Sequence, residues 1–156
     1  MGDRLLDIRD LYVYYRVYGG VLRVLNGVNF HVDVGEKVGL VGETGCGKTT
    51  TMKALLQILP RLAVIPKGEI YIRDKNVLKM SARELADLRG RGLSMIFQDP
   101  TSALNPVFTI GQQLEDVIRY SAGSTGIQVK NRREVALRAL KEARLPDPER
   151  MLDSYP

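Results

Sequence analysis

The sequence predicts an α/β protein in which a short apolar strand feeds a glycine-rich loop and an amphipathic helix leaves it. Three observations carry this. In GLVGETGCGKTTTMKALLQIL, Gly39 to Leu59, three glycines stand between the apolar run KVGLVG and a stretch where Met52, Leu55, Leu56 and Leu59 recur at i, i+3, i+4 and i+7. Upstream of the loop, β-branched and aromatic residues alternate with polar ones. Downstream, helical spacing and capping signals take over.

The elements follow in order. LYVYYRVY, Leu11 to Tyr18, meets Gly19-Gly20 and then VLRVL, Val21 to Leu25, which reads as a β-hairpin. VNFHVDV puts Val28, Phe30, Val32 and Val34 on one face of a half-buried strand and His31, the only histidine, on the other. Gly35-Glu36 turns the chain into KVGLVG, an expected strand. The helix after the loop is expected to run to Pro60. GEIYIRDKNV returns to β alternation. Ser81 and Glu84 have capping-box spacing at the head of a helix that stops at Gly90. LSMIF, Leu93 to Phe97, reads as a buried strand delivering Gln98 at its tip, and Asp99-Pro100 turns the chain. Thr109 and Gln112 cap a helix reaching about Tyr120, and GSTG at Gly123–Gly126 reads as a flexible break. From about Val129 to Arg144, an apolar stripe of Val135, Ala136, Ala139, Leu140 and Ala143 predicts a helix with a basic wet face.

The bulk numbers fit one ordinary domain: 156 residues, 44% apolar, with no internal repeat and no low-complexity tract. No apolar run reaches the roughly 18 residues that cross a bilayer. The N-terminus reads as neither a signal peptide nor a myristoylation signal. A single cysteine, Cys46, rules out an internal disulfide and fits a reducing compartment, so a cytoplasmic location is expected. The net charge of +5 suits an anionic partner, but no nucleic-acid motif accompanies it, and no nucleic-acid partner is expected.

Gly42 to Thr49, GETGCGKT, match the pattern G-x-x-x-x-G-K-[ST]. Gly42, Gly45 and Gly47 permit a tight turn around inward-facing N–H groups, which with the following helix start make an anion nest. Lys48 supplies a point charge for the β and γ phosphates, and the Thr49 hydroxyl supplies a Mg²⁺ ligand. Cys46 lies inside the nest as a small residue whose thiolate the local dipoles and Lys48 would favour, making it alkylatable. Gln98 could ligate Mg²⁺ through its carbonyl and sense an attacking water.

GVNFHVDVGEKVGLVGETGCGKTT, followed by MIFQDPTSALNP, resembles the ATP-binding subunits of ABC transporters, and within them the oligopeptide, dipeptide and nickel importer group. The resemblance runs over essentially the whole chain. It implies a P-loop NTPase (RecA-like) core with an antiparallel β subdomain and the start of a helical subdomain, the sheet being incomplete on its C-terminal side. Residues 1–156 would form a partial ATP-binding domain. Residues 1–98 would carry the β subdomain, the P-loop and the Q-loop strand, and residues 99–156 the beginning of the helical subdomain. Tyr15 matches the aromatic that stacks on adenine, although Tyr12, Tyr14 and Tyr18 are near. Gly42, Glu43, Thr44, Gly45, Cys46, Gly47, Lys48, Thr49 and Thr50 match the ATP-binding positions. Thr49 and Gln98 match the magnesium positions. Permease subunits and a second ATP-binding subunit are the implied partners, on the inner face of the membrane. One departure is Asp74, where the family usually has glycine; aspartate tolerates a left-handed turn.

The LSGGQ signature, the apolar strand ending in Asp-Glu with its general base, and the later switch histidine do not occur in this sequence. ATP binding without appreciable turnover by this chain alone is therefore expected, with marginal stability and a companion chain as a possible source of the missing half. Two other readings stay open: a small P-loop kinase using Asp99 as magnesium ligand or base, and a basic interaction or nucleic-acid-binding module on the helix from Lys130 to Arg144.

Overall fold

The computed structural model describes residues 3–99, 103–123 and 130–156, the side chains at 90, 122 and 123 excepted. The break expected at Gly123–Gly126 lies, after Gly123, outside the described residues, as do Pro100 and Val129. The chain forms two compact units, Met1–Leu85 and Ala86–Pro156.

The first unit is built on a four-stranded antiparallel sheet in the order β2-β1-β3-β4. Strand β1 (Arg4–Val17) and strand β2 (Gly20–Asp33) form the expected hairpin, Val17 facing Gly20 across the turn at Tyr18-Gly19. Gly19 supplies the positive φ (83°) that closes it. Val28, Phe30 and Val32 are half-buried while Asn29 and His31 are exposed, as alternation requires, but Val34, expected on the same face, lies past the end of β2 and is exposed.

A bulge sets which residues face the core. Ile8 pairs with Phe30 but Leu11 pairs with Val28, so β1 holds one extra residue there. Asp10 absorbs it at φ 47°, its N–H donating to Asn29 Oδ1 (2.8 Å) while Asn29 Nδ2 donates to the Gly27 carbonyl (2.8 Å). The parity shift brings Ile8, Leu11 and Val13 onto one buried face, and leaves Tyr12 and Tyr14 on the other with their rings edge to face. β3 (Ala63–Ile72) crosses the bulge at Gly68, where a Cβ would lie 2.6 Å from Leu11 Cα on a backbone at φ +119°. Only glycine allows that approach.

β3 returns through β4 (Lys75–Asn76) and a 3₁₀ turn (Val77–Lys79). The left-handed residue of that hairpin is Arg73 (φ 52°), not Asp74 as the sequence suggested. Helix α1 (Lys48–Leu55) contributes the buried Thr51, Ala54 and Leu55. It ends earlier than the expected Pro60. Gln57 adopts φ 53°, its N–H bonding to Ala54 O and the Ile58 N–H to Lys53 O, the paired bonds of a Schellman stop.

Helix α2 (Ala82–Asp87) starts on the expected capping box, with the Ser81 N–H donating to Glu84 Oε2 (2.8 Å) and the Glu84 N–H to Ser81 Oγ (3.3 Å). It continues past Gly90 as a π turn (Leu88–Gly92), closed by the Leu93 N–H bonding to Leu88 O.

In the second unit, α3 (Ile110–Gly123), α4 (Arg132–Glu142) and α5 (Pro148–Asp153) pack pairwise. Thr109 and Gln112 cap α3 reciprocally (2.9 and 3.2 Å). At α4 the Glu134 N–H donates to Asn131 Oδ1 (3.2 Å), while the Asn131 side-chain Nδ2 donates to Glu134 Oε2 (2.9 Å). Ala136, Leu140 and Leu152 form the core, with Leu114, Ile118, Leu137 and Met151 around it. Of the expected α4 stripe, Val135, Ala139 and Ala143 are exposed, and Leu137 takes their place against α3 and α5.

The two strands expected at KVGLVG and LSMIF do not form. Residues 37–41 and 93–97 join no ladder among the described residues, and Val41 and Ile96 are 94% and 93% exposed. A strand exists only through hydrogen bonds to a neighbour, and the described sheet offers these segments none.

Candidate functional site

The glycine loop lies between residues 37–41 and α1. Gly47, in the left-handed region (φ 97°, ψ 1°), is the N-cap of α1. The Thr51 N–H is the first amide bonded back into the helix, to Gly47 O (2.9 Å), and Thr51 Oγ1 donates to the same carbonyl (3.0 Å). The N–H groups of Lys48, Thr49 and Thr50 lie N-terminal to that bond and have no intrahelical acceptor, which makes this helix start an anion site.

Lys48 spans the loop. Its Nζ donates to the carbonyls of Gly42 (2.6 Å) and Glu43 (2.7 Å) and lies 3.4 Å from Cys46 Sγ. The Cys46 N–H turns back to Glu43 O (3.3 Å). The sequence expectation thus finds Gly42 to Thr50 in one loop and helix start, with a single ammonium at the centre. Glu43, Thr44, Gly45 and Cys46 are exposed, as is Thr49; Thr50 is half-buried.

The three motif glycines differ in what they require. A Cβ on Gly42 would lie 2.8 Å from the Cys46 Sγ, which would have to turn aside, and in ordinary contact (4.0 Å) with Lys48 Nζ. A Cβ on Gly47 would lie 2.6 Å from Leu25 Cδ2 and 3.4 Å from Val24 O. Gly45 (φ +88°) has open space and needs glycine for its backbone alone. Leu25 and Val24 on β2 are therefore the floor of the loop. The sequence reading missed them, because the contact joins residues more than twenty positions apart and no local pattern announces it.

Tyr15 sits near the hairpin end of β1, paired with Leu22 and Ala63 and half-buried. By alternation it shares the face of Leu11 and Val13, and Leu25, the partner of Val13, is the residue beneath Gly47. Tyr12 and Tyr14 point the other way, with the Lys67 ammonium and the Arg23 guanidinium each 5.6 Å from the respective ring centre. Of the tyrosines weighed for adenine, Tyr15 is thus the one on the face where the loop packs. Tyr18 is fully exposed at the turn.

Gln98 belongs to the second unit, in a bend after the unpaired segment 93–97 rather than at a strand tip, and it is exposed. The two residues expected to ligate magnesium, Thr49 and Gln98, are therefore carried by separate units. No group of three or more His, Cys, Asp or Glu side chains that could hold a metal occurs among the described residues. Asp99, the acid of the kinase reading, follows Gln98 in the same bend.

A glycine loop crossed by a lysine and resting on strand β2 of an antiparallel sheet is the local arrangement of a P-loop fold. The match to solved structures agrees. A dimeric, post-hydrolysis ATP-binding cassette bound to ADP and Pi aligns with a TM-score of 0.78 over 97% of this chain and 61% of that one, at 24% identity. A dimeric bacterial ABC transporter cassette aligns at 0.74 over 94% and 60%, at 23% identity. The family model described as ABC transporter matches residues 25–155, and the chain belongs to that family. A probable peptide ABC transporter ATP-binding protein of Sinorhizobium fredii is 41% identical over 155 residues, which cover 99% of this chain and 45% of that protein. The oligopeptide transport ATP-binding protein of Bacillus subtilis is 34% identical over 154 residues, covering 98% and 42%. The chain spans less than half the length of these relatives. Neither the kinase reading nor the nucleic-acid reading is favoured by these matches.

Proposed function

We propose that this chain binds ATP with Mg²⁺ through Gly42–Thr50, as the nucleotide-binding part of an ABC importer of peptides or related solutes. The observation that carries this is the lysine bridge: Lys48 Nζ crosses the loop at 2.6 and 2.7 Å from two carbonyls. The donor set fits a polyphosphate. Helix-start amides and one ammonium are all donors, and the loop places no carboxylate among the bonds that define it. In this reading Tyr15 stacks on the adenine, the Thr49 hydroxyl is the magnesium ligand, and Gln98 keeps the metal- and water-sensing role its motif implies. When bound, Mg²⁺ would offset phosphate charge. Residues 1–98 and 99–156 are proposed as the β/P-loop part and the start of the helical part.

Partners in this reading are permease subunits and a second ATP-binding subunit, with a companion chain as a further candidate, and the location is the cytoplasmic face of the membrane. No helix among the described residues is long and apolar enough to cross a membrane. Hydrolysis is not assigned to these 156 residues, because the signature, the Asp-Glu strand and a histidine beyond the loop do not occur in them. The similarity to peptide transport proteins supports the solute class.

Titration calorimetry with ATP tests the reading. Lys48→Ala removes one charge-assisted bond, worth about 1.5–3 kcal/mol, so affinity should fall roughly 10- to 150-fold. Chelating Mg²⁺ should also weaken binding. A folded Lys48→Ala variant that binds ATP as tightly as the parent chain would refute the site.

A further inference from the structure

The hairpin end of the sheet, beyond Tyr15, carries an apolar and basic surface that the phosphate loop does not use. Val17, Tyr18, Val21 and Leu22 surround the β1–β2 turn, and their exposures are 51%, 108%, 56% and 55%. Leu62, 61% exposed, joins them, because its carbonyl accepts the Arg16 N–H at 2.9 Å and holds it against the end of β1. Isolated exposed apolar residues need no explanation, but five together at one end of a sheet do.

The charge around them has one sign. Arg16 and Arg23 flank the turn, and Arg61 precedes Leu62; all three are exposed. None has a carboxylate within ion-pair distance among the described residues. The sequence explains this, since residues 11–32 and 44–68 contain no aspartate or glutamate at all. The nearest acid along β1, Asp10, lies six residues from Arg16 and is paired with Lys67 at 2.6 Å. At roughly 3.3 Å per residue it stands about 20 Å from the patch.

We propose that this hairpin end is a docking surface for an anionic lipid bilayer, with Val17, Tyr18 and Leu22 entering the headgroup region and Arg16, Arg23 and Arg61 meeting lipid phosphates. Charge complementarity favours a polyanionic surface, and the apolar component distinguishes lipid from nucleic acid. Aliphatic side chains gain nothing from a phosphodiester backbone, whereas they and a tyrosine ring gain from the headgroup–acyl boundary. None of the six residues belongs to Gly42–Thr50, but Leu22 is the cross-strand partner of Tyr15, so the patch borders the proposed adenine position.

Vesicle co-sedimentation of the full 156-residue chain tests it. The vesicles are pure phosphatidylcholine or phosphatidylcholine with 30 mol% phosphatidylglycerol as a probe composition. The chain should partition onto the anionic vesicles and not the neutral ones, and raising the salt should release it. Arg16→Gln/Arg23→Gln/Arg61→Gln should reduce partitioning roughly tenfold or more, since each basic residue near such a surface contributes several-fold. Val17→Thr/Tyr18→Ser/Leu22→Thr keeps the charges and β propensity and should also reduce it about tenfold, by removing buried apolar groups. Circular dichroism confirms that each variant is folded, and loss in either folded variant supports the assignment. Equal binding to neutral vesicles, or no binding to anionic ones, overturns it. So does salt-sensitive DNA binding that the apolar variant leaves intact, which would give the surface to nucleic acid. Self-association in the absence of vesicles that the apolar variant abolishes would instead assign the patch to a second copy of the chain.

Discussion

At Gly47 a methyl group would sit 2.6 Å from Leu25 Cδ2, on a backbone at φ +97°. The dihedral strains any other residue and the buried Leu25 side chain would have to shift, so Gly47→Ala should displace Leu25 or unwind the start of α1. Strained left-handed residues cost roughly 1–3 kcal/mol, and the displaced helix start also misplaces the amides of the anion site. Gly47→Ala should therefore lower stability in urea and weaken ATP binding together, whereas Gly45→Ala, with open space at its Cβ, should show the backbone strain without the Leu25 clash. Cys46 gives a second residue-scale readout. It is exposed, and its Sγ lies 3.4 Å from Lys48 Nζ. A nucleotide seated in the loop covers it, so saturating Mg-ATP should slow alkylation of Cys46 by iodoacetamide several-fold. Unchanged alkylation at saturating nucleotide would remove Cys46 from the site.

At the scale of elements, β1 is held at its start by a small charge cluster. Asp7 is buried, its carboxylate accepting from Arg4 Nη1 (2.9 Å) and Arg9 Nε (2.8 Å). Burial pushes the carboxyl upward, but the bonds from Arg9 and then Arg4, with their charges, outweigh it and hold the group below its ordinary value. A depressed folded value means the stabilisation is fully present above the unfolded carboxylate value and lost as pH falls through the folded one. Asp7→Asn should melt below the parent chain at pH 7, and the gap should close as pH drops beneath about 4. A gap that stays constant down to pH 2 would show that the ion pairs are not its source. The same strand shows what sequence can reveal. The hairpin and the caps at Ser81–Glu84 and Thr109–Gln112 were legible because each is a contact between residues a few positions apart. The Gly42–Thr50 loop was legible for the same reason. The bulge at Asp10 was not, since it depends on pairing with Asn29 across the sheet. The segments 37–41 and 93–97 misled because their composition suits a strand, while a strand also needs a partner elsewhere in the chain. Helix α5 was missed despite a readable signal, Asp147 as N-cap followed by Pro148 at its first position.

At the scale of the molecule, the two units have separate cores, and this makes ligand binding a probe of each. The first buries Ile8, Leu11, Val13, Leu25, Ile70 and Val77 around the sheet, whereas the second rests on Ala136, Leu140 and Leu152. The second core is smaller, so its helices should open at lower free energy than β1 and β3. The proposed site lies within the first unit, at Tyr15 and residues 42–50, apart from Gln98. ATP at 100 times its Kd stabilises the state it binds by about 2.7 kcal/mol, which is roughly a hundredfold slower amide exchange there. Native-state hydrogen exchange should show that slowing at the amides of β1, β3 and α1. The amides of α4 and α5 should exchange faster to begin with and respond less. Equal slowing in both units would mean that they unfold as one body, and unchanged exchange in β1 and α1 at saturating nucleotide would mean that the loop is not where ATP is held.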